Sequence, residues 1–138
     1  MKVVAFNGSA RKDGNTAILL NRVLEELVGE GIETELIQFA GEPIAGCIAC
    51  YKCVKNKDLR CAVNTDKVNA YLAKMQQADG ILLGSPTYIA DITTSMKAFI
   101  ERITIVSRAN GDMLKRKMGA AVVAVRRAGA IHAFSSLN

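Results

Sequence analysis

The only four cysteines of the chain fall within one short stretch, Cys47-Ile48-Ala49-Cys50-Tyr51-Lys52-Cys53, with Cys61 following after seven more residues. Thiolate sulfur is a soft ligand that suits iron–sulfur clusters and zinc. The C-x2-C-x2-C run has the spacing that wraps three corners of a cubane cluster, and Cys61 is near enough to close the cage from the same loop. Three other chemistries use the same residues. Structural zinc more often takes two C-x-x-C pairs set well apart. A disulfide framework belongs to oxidising compartments. Free or redox-active thiols need no metal at all. The spacing favours a [4Fe-4S] cluster over these. Lys52, Lys55, Lys57 and Arg60 share the loop; they would offset the charge of an anionic four-thiolate group and raise its reduction potential, although a solvated basic surface has the same composition.

A second segment with chemical content is Gly8-Ser9-Ala10-Arg11-Lys12-Asp13-Gly14-Asn15-Thr16. It joins an apolar run to an amphipathic one, the junction at which open parallel sheets bind phosphate on unpaired helix N-terminal amides. Ser9, Asn15 and Thr16 offer further donors and Arg11 a charged fork. The segment is neither a Walker A loop, since Asn15 stands where a lysine is needed, nor G-x-G-x-x-G. An ordinary polar turn with a helix cap is the alternative reading. Two more loops, Ser85-Pro86-Thr87-Tyr88 and Arg126-Arg127-Ala128-Gly129, follow apolar runs in the same manner. All three would lie on one carboxyl edge, where they could cradle one ligand, with Tyr88 lying against a flat ring. His132, the single histidine, reads as a solvent-facing or core residue rather than a catalyst.

The elements that must position these residues follow from periodicity. Val3-Val4-Ala5-Phe6 is a nearly continuous apolar run, as in a strand buried on both faces. Asn15 and Thr16 open a helix whose stripe is Leu20, Val23, Leu24, Leu27 and Val28, and Gly29 and Gly31 end it. Residues 32–39 form a second strand. The loop at 41–65 holds the cysteines; such a long loop in a compact domain is usually functional, and a bound cluster would supply the order that secondary structure does not. Asp66 caps a helix presenting Val68, Tyr71, Leu72 and Met75. Ile81-Leu82-Leu83 is a third strand, Met96, Phe99, Ile100 and Ile103 face one side of a third helix, and Ala120 to Val125 is a fourth strand behind a basic loop at 110–117. A short helix follows Gly129. Alternation of this kind predicts an α/β fold with a doubly wound parallel sheet and right-handed crossovers.

With 138 residues, half of them apolar and 22% charged, the chain is long enough for one globular domain, 1–138, with a real core. No apolar run reaches membrane-spanning length, and no signal-peptide core follows Met1, so a cytoplasmic location without membrane is expected. The formal charge of +5 permits phosphate-bearing ligands; no zinc-finger, helix-turn-helix or aromatic RNA-binding signature points to nucleic acid.

Taken together, Gly8-Ser9-Ala10-Arg11 with Gly14-Asn15-Thr16, the cysteine motif, Ala78-Asp79-Gly80 through Tyr88, Met96-Lys97-Ala98-Phe99, and the segment from Arg108 to Arg127 resemble the flavodoxin-like NAD(P)H-dependent FMN reductases, and among them the iron–sulfur flavoproteins. The resemblance covers almost the whole chain. It implies that Ser9, Arg11, Asn15 and Thr16 hold FMN phosphate, that Pro86, Thr87, Tyr88 and Ile89 lie against the isoalloxazine, that Arg126, Arg127 and Gly129 close the other side, and that Cys47, Cys50, Cys53 and Cys61 ligate a [4Fe-4S] cluster. It implies NAD(P)H or ferredoxin as electron donor, and a homodimer or homotetramer. A cluster-free FMN or quinone reductase and a non-enzymatic flavodoxin-like carrier are the rival functions; a zinc-stabilised interaction module is a third. Ala10, Asp13 and Ile89-Ala90 depart from the family's usual proline, glycine and Phe-Gly. The implied sheet order is 2-1-3-4-5, and the fifth strand is missing here. Either the chain is truncated or another subunit covers the apolar edge that strand four would otherwise expose.

Overall fold

Val4, Ala5 and Phe6 are fully buried, as the unbroken apolar run demands of a strand covered on both faces. The computed structural model describes residues 1–138. In chain order the elements are β1 (Lys2–Asn7), α1 (Asn15–Gly29), β2 (Glu33–Gln38), α2 (Lys52–Asn56), α3 (Val68–Gln77), β3 (Gly80–Pro86), α4 (Thr94–Ala109), β4 (Met118–Ala124) and α5 (Ala130–Leu137). The four strands form one parallel sheet in the order β2-β1-β3-β4. Phe6 sits in register between Ile37 and Leu83. This is the flavodoxin-like order through its fourth strand; the outer edge of β4 has no strand beside it, and Met118, Gly119 and Ala120 on it are exposed.

The two faces of the sheet are covered unequally. On one, Val4, Phe6 and Ile81 pack with residues of α3, α4 and α5 in the main core. Its centre is aromatic: Phe6 lies 4.8 Å from the Phe99 ring and Phe39 stacks on Tyr71 at 5.9 Å. On the other face α1 alone covers Val3, Ala5 and Leu82. Its buried seam is therefore narrower than the expected stripe. Leu20 and Leu24 are buried, whereas Val23 and Val28 stay exposed because no second helix lies beside α1. Gly84 lets Leu20 approach: a Cβ there would stand 2.6 Å from the leucine. The helix ends as the glycines require. Gly31, at φ +74, and Ile32 donate to the carbonyls of Val28 and Leu27, a Schellman arrangement.

Two expectations need correction. The cysteine loop is not wholly irregular, since Lys52–Asn56 forms a one-turn helix within it; five residues are too few for periodicity to show. Asp66 stands one residue ahead of the α3 cap position, which Lys67 occupies, yet its carboxylate still takes the Val68 amide at 3.1 Å. Lys117, read as part of a basic loop, donates to the carbonyls of Gln76 and Ala78 at the end of α3, a favourable position for a cation. No helix is long and apolar enough to cross a membrane.

Candidate functional site

The loop between β1 and α1 is held from beneath and left open above. Buried Asn7 donates to Gln38 Oε1 at 2.6 Å and accepts the Ser9 amide at 3.0 Å, and Gln38 in turn donates to the Lys12 carbonyl. Ser9 Oγ accepts the Arg11 amide at 3.0 Å, which closes the turn. Gly8 donates its amide to Gly84 O and lends its carbonyl to Thr93 Oγ1 at 2.8 Å; a Cβ on Gly8 would strike Met96 at 2.8 Å. By contrast, the amides of residues 12 to 17 find no acceptor in the protein. Gly14 at the N-cap of α1 makes no side-chain cap, and no acidic residue occupies the first turn. Unpaired amides at the positive end of a helix, flanked by exposed Arg11, Lys12 and Asn15, form an anion seat. Ser9 and Thr16 are buried in the same loop.

The other two loops stand on the same edge. Thr87 N donates to Ala124 O at 3.0 Å, tying the end of β3 to the end of β4. Tyr88 and Asp91 then exchange backbone hydrogen bonds across Ile89 and Ala90, whose φ values are +52 and +62. That is a type I′ turn made without asparagine or glycine. A β-branched residue at positive φ is an outlier, and Ile89 is also completely exposed. Gly129, at φ +92, packs on this turn so closely that a Cβ would lie 2.5 Å from Ala90 backbone atoms. Pro86 and Thr87 are half-buried, and Tyr88, Arg126 and Arg127 are exposed. His132 faces solvent with its Nε2 3.4 Å from Asp91 Oδ2. The Ile92 amide and the Ser136 hydroxyl, with His132 adding to them, hold the Asp91 carboxyl below the usual range.

The four cysteines line a single pocket against α4, closed by Val63 and Val106 among others. Four loop residues, Ala49, Tyr51, Lys57 and Leu59, adopt positive φ, and such turns at Ala49 and Tyr51 bring Cys47, Cys50 and Cys53 to one side. The Ala49 amide donates to Cys47 Sγ at 3.4 Å. Asn69 on α3 clamps the backbone of Cys61, accepting its amide at 2.8 Å and donating to its carbonyl at 3.0 Å. Burial pushes the Cys53 thiol above its ordinary value, against the pull of the Val54 amide, and the charges of Cys61 and Cys50 push it further. A cationic centre among the sulfurs would relieve that repulsion. As placed, no three of the cysteines converge closely enough to grip a metal ion. The donor set nevertheless fits a four-thiolate group, because neither carboxylate nor imidazole lines the pocket.

Sequence reasoning did not single out Arg102. It lies in the pocket wall, 1% exposed, on the same face of α4 as Phe99, Ile103 and Val106. Nη1 donates to the Ala45 carbonyl at 3.1 Å and pairs with Asp66, and Nη2 donates to the Val63 carbonyl at 2.7 Å. One side chain thus ties together the chain before the cysteines and the chain after them. Burial pushes the Asp66 carboxyl up, but its hydrogen bonds from Arg102, Ala45 and Val68 outweigh that and hold it below the usual range. The signal was present in the sequence: a charge three residues from Phe99 and four from Val106 interrupts an apolar stripe. Asn7, Gln38, Asn69 and Thr93 carried no comparable mark.

The chain is similar to curated proteins named iron–sulfur flavoprotein. It is 38% identical over 122 residues to one from Methanocaldococcus jannaschii, matching 88% of this chain and 61% of that protein. It is 35% identical over 138 residues to one from Archaeoglobus fulgidus, matching 99% and 66%. The chain therefore spans about two-thirds or less of the length of these relatives. Among solved structures it resembles RosB, crystallised with 8-demethyl-8-formylriboflavin-5'-phosphate, at a TM-score of 0.78 and 20% identity, over 99% of this chain and 56% of that one. It also resembles an NAD(P)H:quinone oxidoreductase from Methanothermobacter marburgensis at a TM-score of 0.68 and 15% identity, over 91% and 63%. At such identities the structures speak for the fold alone. The description "NADPH-dependent FMN reductase" fits a family model that matches residues 1–138 throughout, and the chain belongs to that family.

Proposed function

We propose that this chain is the cofactor-binding part of an oxidoreductase that passes electrons between NAD(P)H or ferredoxin, FMN and a [4Fe-4S] cluster. One observation carries the reading: a single chain presents both an anion seat of unpaired amides on the strand-end edge and one pocket lined by four thiols. When bound, FMN takes an electron pair and releases electrons singly, which matches a one-electron iron–sulfur group. The protein's own work is placement. The amides of residues 12–17, with Ser9, Arg11, Asn15 and Thr16, bind and orient the flavin phosphate. Pro86, Thr87, Tyr88 and Ile89 present a rigid wall to one side of the ring. Arg126, Arg127 and Gly129 bound the other. Cys47, Cys50, Cys53 and Cys61 hold the cluster, and the lysines of the loop offset its charge. No side chain is assigned as acid or base. A reducing, cytoplasmic setting and a homodimer or homotetramer accompany this reading.

A cluster-free NAD(P)H-dependent FMN or quinone reductase is the second reading, favoured by the separation of the thiols as placed. Anaerobic turnover distinguishes the two. The first reading expects NAD(P)H- or ferredoxin-driven bleaching of both flavin and cluster absorption. Flavin bleaching and quinone reduction by protein without iron or sulfide establish the second instead.

A further inference from the structure

We propose that Arg102 is a positioning residue for the sulfur site, donating its Nε–H to sulfur in the cysteine pocket while its two Nη groups lock the pocket's entrance and exit. This rests on the cluster reading above. The guanidinium carries five N–H donors in a fixed plane. Its Nη atoms are used on Ala45, Asp66 and Val63. Nε is buried and has no partner at all, the one buried side-chain polar atom in the chain so placed. A buried donor without an acceptor is costly, and the wall it belongs to is lined by Cys47, Cys50, Cys53 and Cys61. Asp66 pairs with the same fork, its side chain only 2% exposed.

An N–H donated to thiolate or sulfide withdraws electron density from sulfur and favours the reduced cluster, so the potential rises. A lysine at this position retains positive charge but offers no donor at Nε and no plane. Arg102 thereby serves two ends at once: it fixes the distance between the Cys47–Cys53 run and Cys61, and it sets the electronic character of one corner.

The test uses the whole chain with its cluster, prepared anaerobically and labelled with 15N-arginine. Pulsed EPR of the reduced protein should show an arginine nitrogen coupled to the cluster spin, and Arg102→Lys should abolish that coupling and shift the midpoint potential to a more negative value. Because a lone lysine could unsettle the fold, Arg102→Met with Asp66→Asn, which removes the buried pair together, serves as the companion and should shift the potential in the same direction. A cluster with no arginine coupling in the unaltered protein, or an unmoved potential in a variant that folds and holds its iron, overturns the role of Arg102 alone. Protein that takes up no iron and sulfide under reconstitution overturns the cluster reading and this inference with it.

Discussion

At the scale of single residues, the strongest dependence falls on the Cys50 thiol and the buried Asp66–Arg102 pair. Cys50→Ser should remove the broad visible absorption of the cluster and most of the bound iron, read by spectrum and metal analysis; unchanged iron would show that Cys50 is not a ligand. Asp66→Ala leaves the Arg102 guanidinium buried without its counter-charge, and loss of one partner from such a pair typically costs about 3–5 kcal/mol. Chemical denaturation measures this, and a loss below about 1 kcal/mol would contradict the buried-pair account. The same carboxylate predicts a pH dependence. Its folded value lies below the ordinary 3.8, so the folded state binds this proton less readily than the unfolded chain. The stability it contributes is complete above the ordinary value and is lost as pH falls through the depressed one. Asp66→Asn should lower stability at neutral pH and flatten the acid limb of a stability–pH curve, leaving the slope of the neutral limb unchanged.

At the scale of elements, the turn after β3 stores strain that its sequence does not explain. Ile89 and Ala90 both occupy left-handed backbone, a conformation that costs a non-glycine residue on the order of 1–2 kcal/mol. Ala90→Gly should therefore raise the thermal midpoint, by the equivalent of about 1 kcal/mol, and a fall would mean that the Ala90 methyl is packed to better purpose than its geometry suggests. Strain of this kind is found at functional sites, and this turn faces the proposed flavin edge. Gly129→Ala should act oppositely, since its Cβ meets the Ala90 backbone; loss of flavin affinity with the fold intact is the expected result, measured by FMN titration. The strands and long helices were legible in the sequence because each carries its own period: a buried run at Val3–Phe6, a helical stripe around Leu20 and Leu24, and Val68, Tyr71 and Leu72 on α3. Helix α2 was not legible, because a five-residue turn shows no period. Nor was the width of the α1 seam, which depends on how many helices share that face of the sheet.

At the scale of the whole molecule, the sheet gathers three loops at its carboxyl edge and leaves its outer strand unpartnered. The three loops beyond β1, β3 and β4 were readable as one edge from strand–helix alternation alone, because parallel crossovers leave no other arrangement. What joins them was not readable. The Asn7–Gln38–Lys12 chain and the Thr93–Gly8 bond link residues 31 and 85 positions apart, and polar groups that meet only after folding leave no local pattern. The cysteine pocket divides likewise. Its ligand candidates announce themselves by spacing and Arg102 by the break it makes in the stripe of α4, while Asn69, which clamps Cys61, is recognised only once α3 stands against the loop. Neutralising Arg11 tests the edge as a unit: Arg11→Ala should weaken FMN binding several-fold and reduce its salt dependence, because one exposed charge in the anion seat is lost. Unchanged affinity would move the phosphate elsewhere.

The most direct measurement is the content of FMN, iron and sulfide in one anaerobically purified and reconstituted sample, read together with its absorption spectrum. The account predicts flavin bands superimposed on a broad cluster shoulder, with one FMN and about four irons per chain, as four thiolates around a cubane require. Colourless protein that takes up neither FMN nor iron would contradict it.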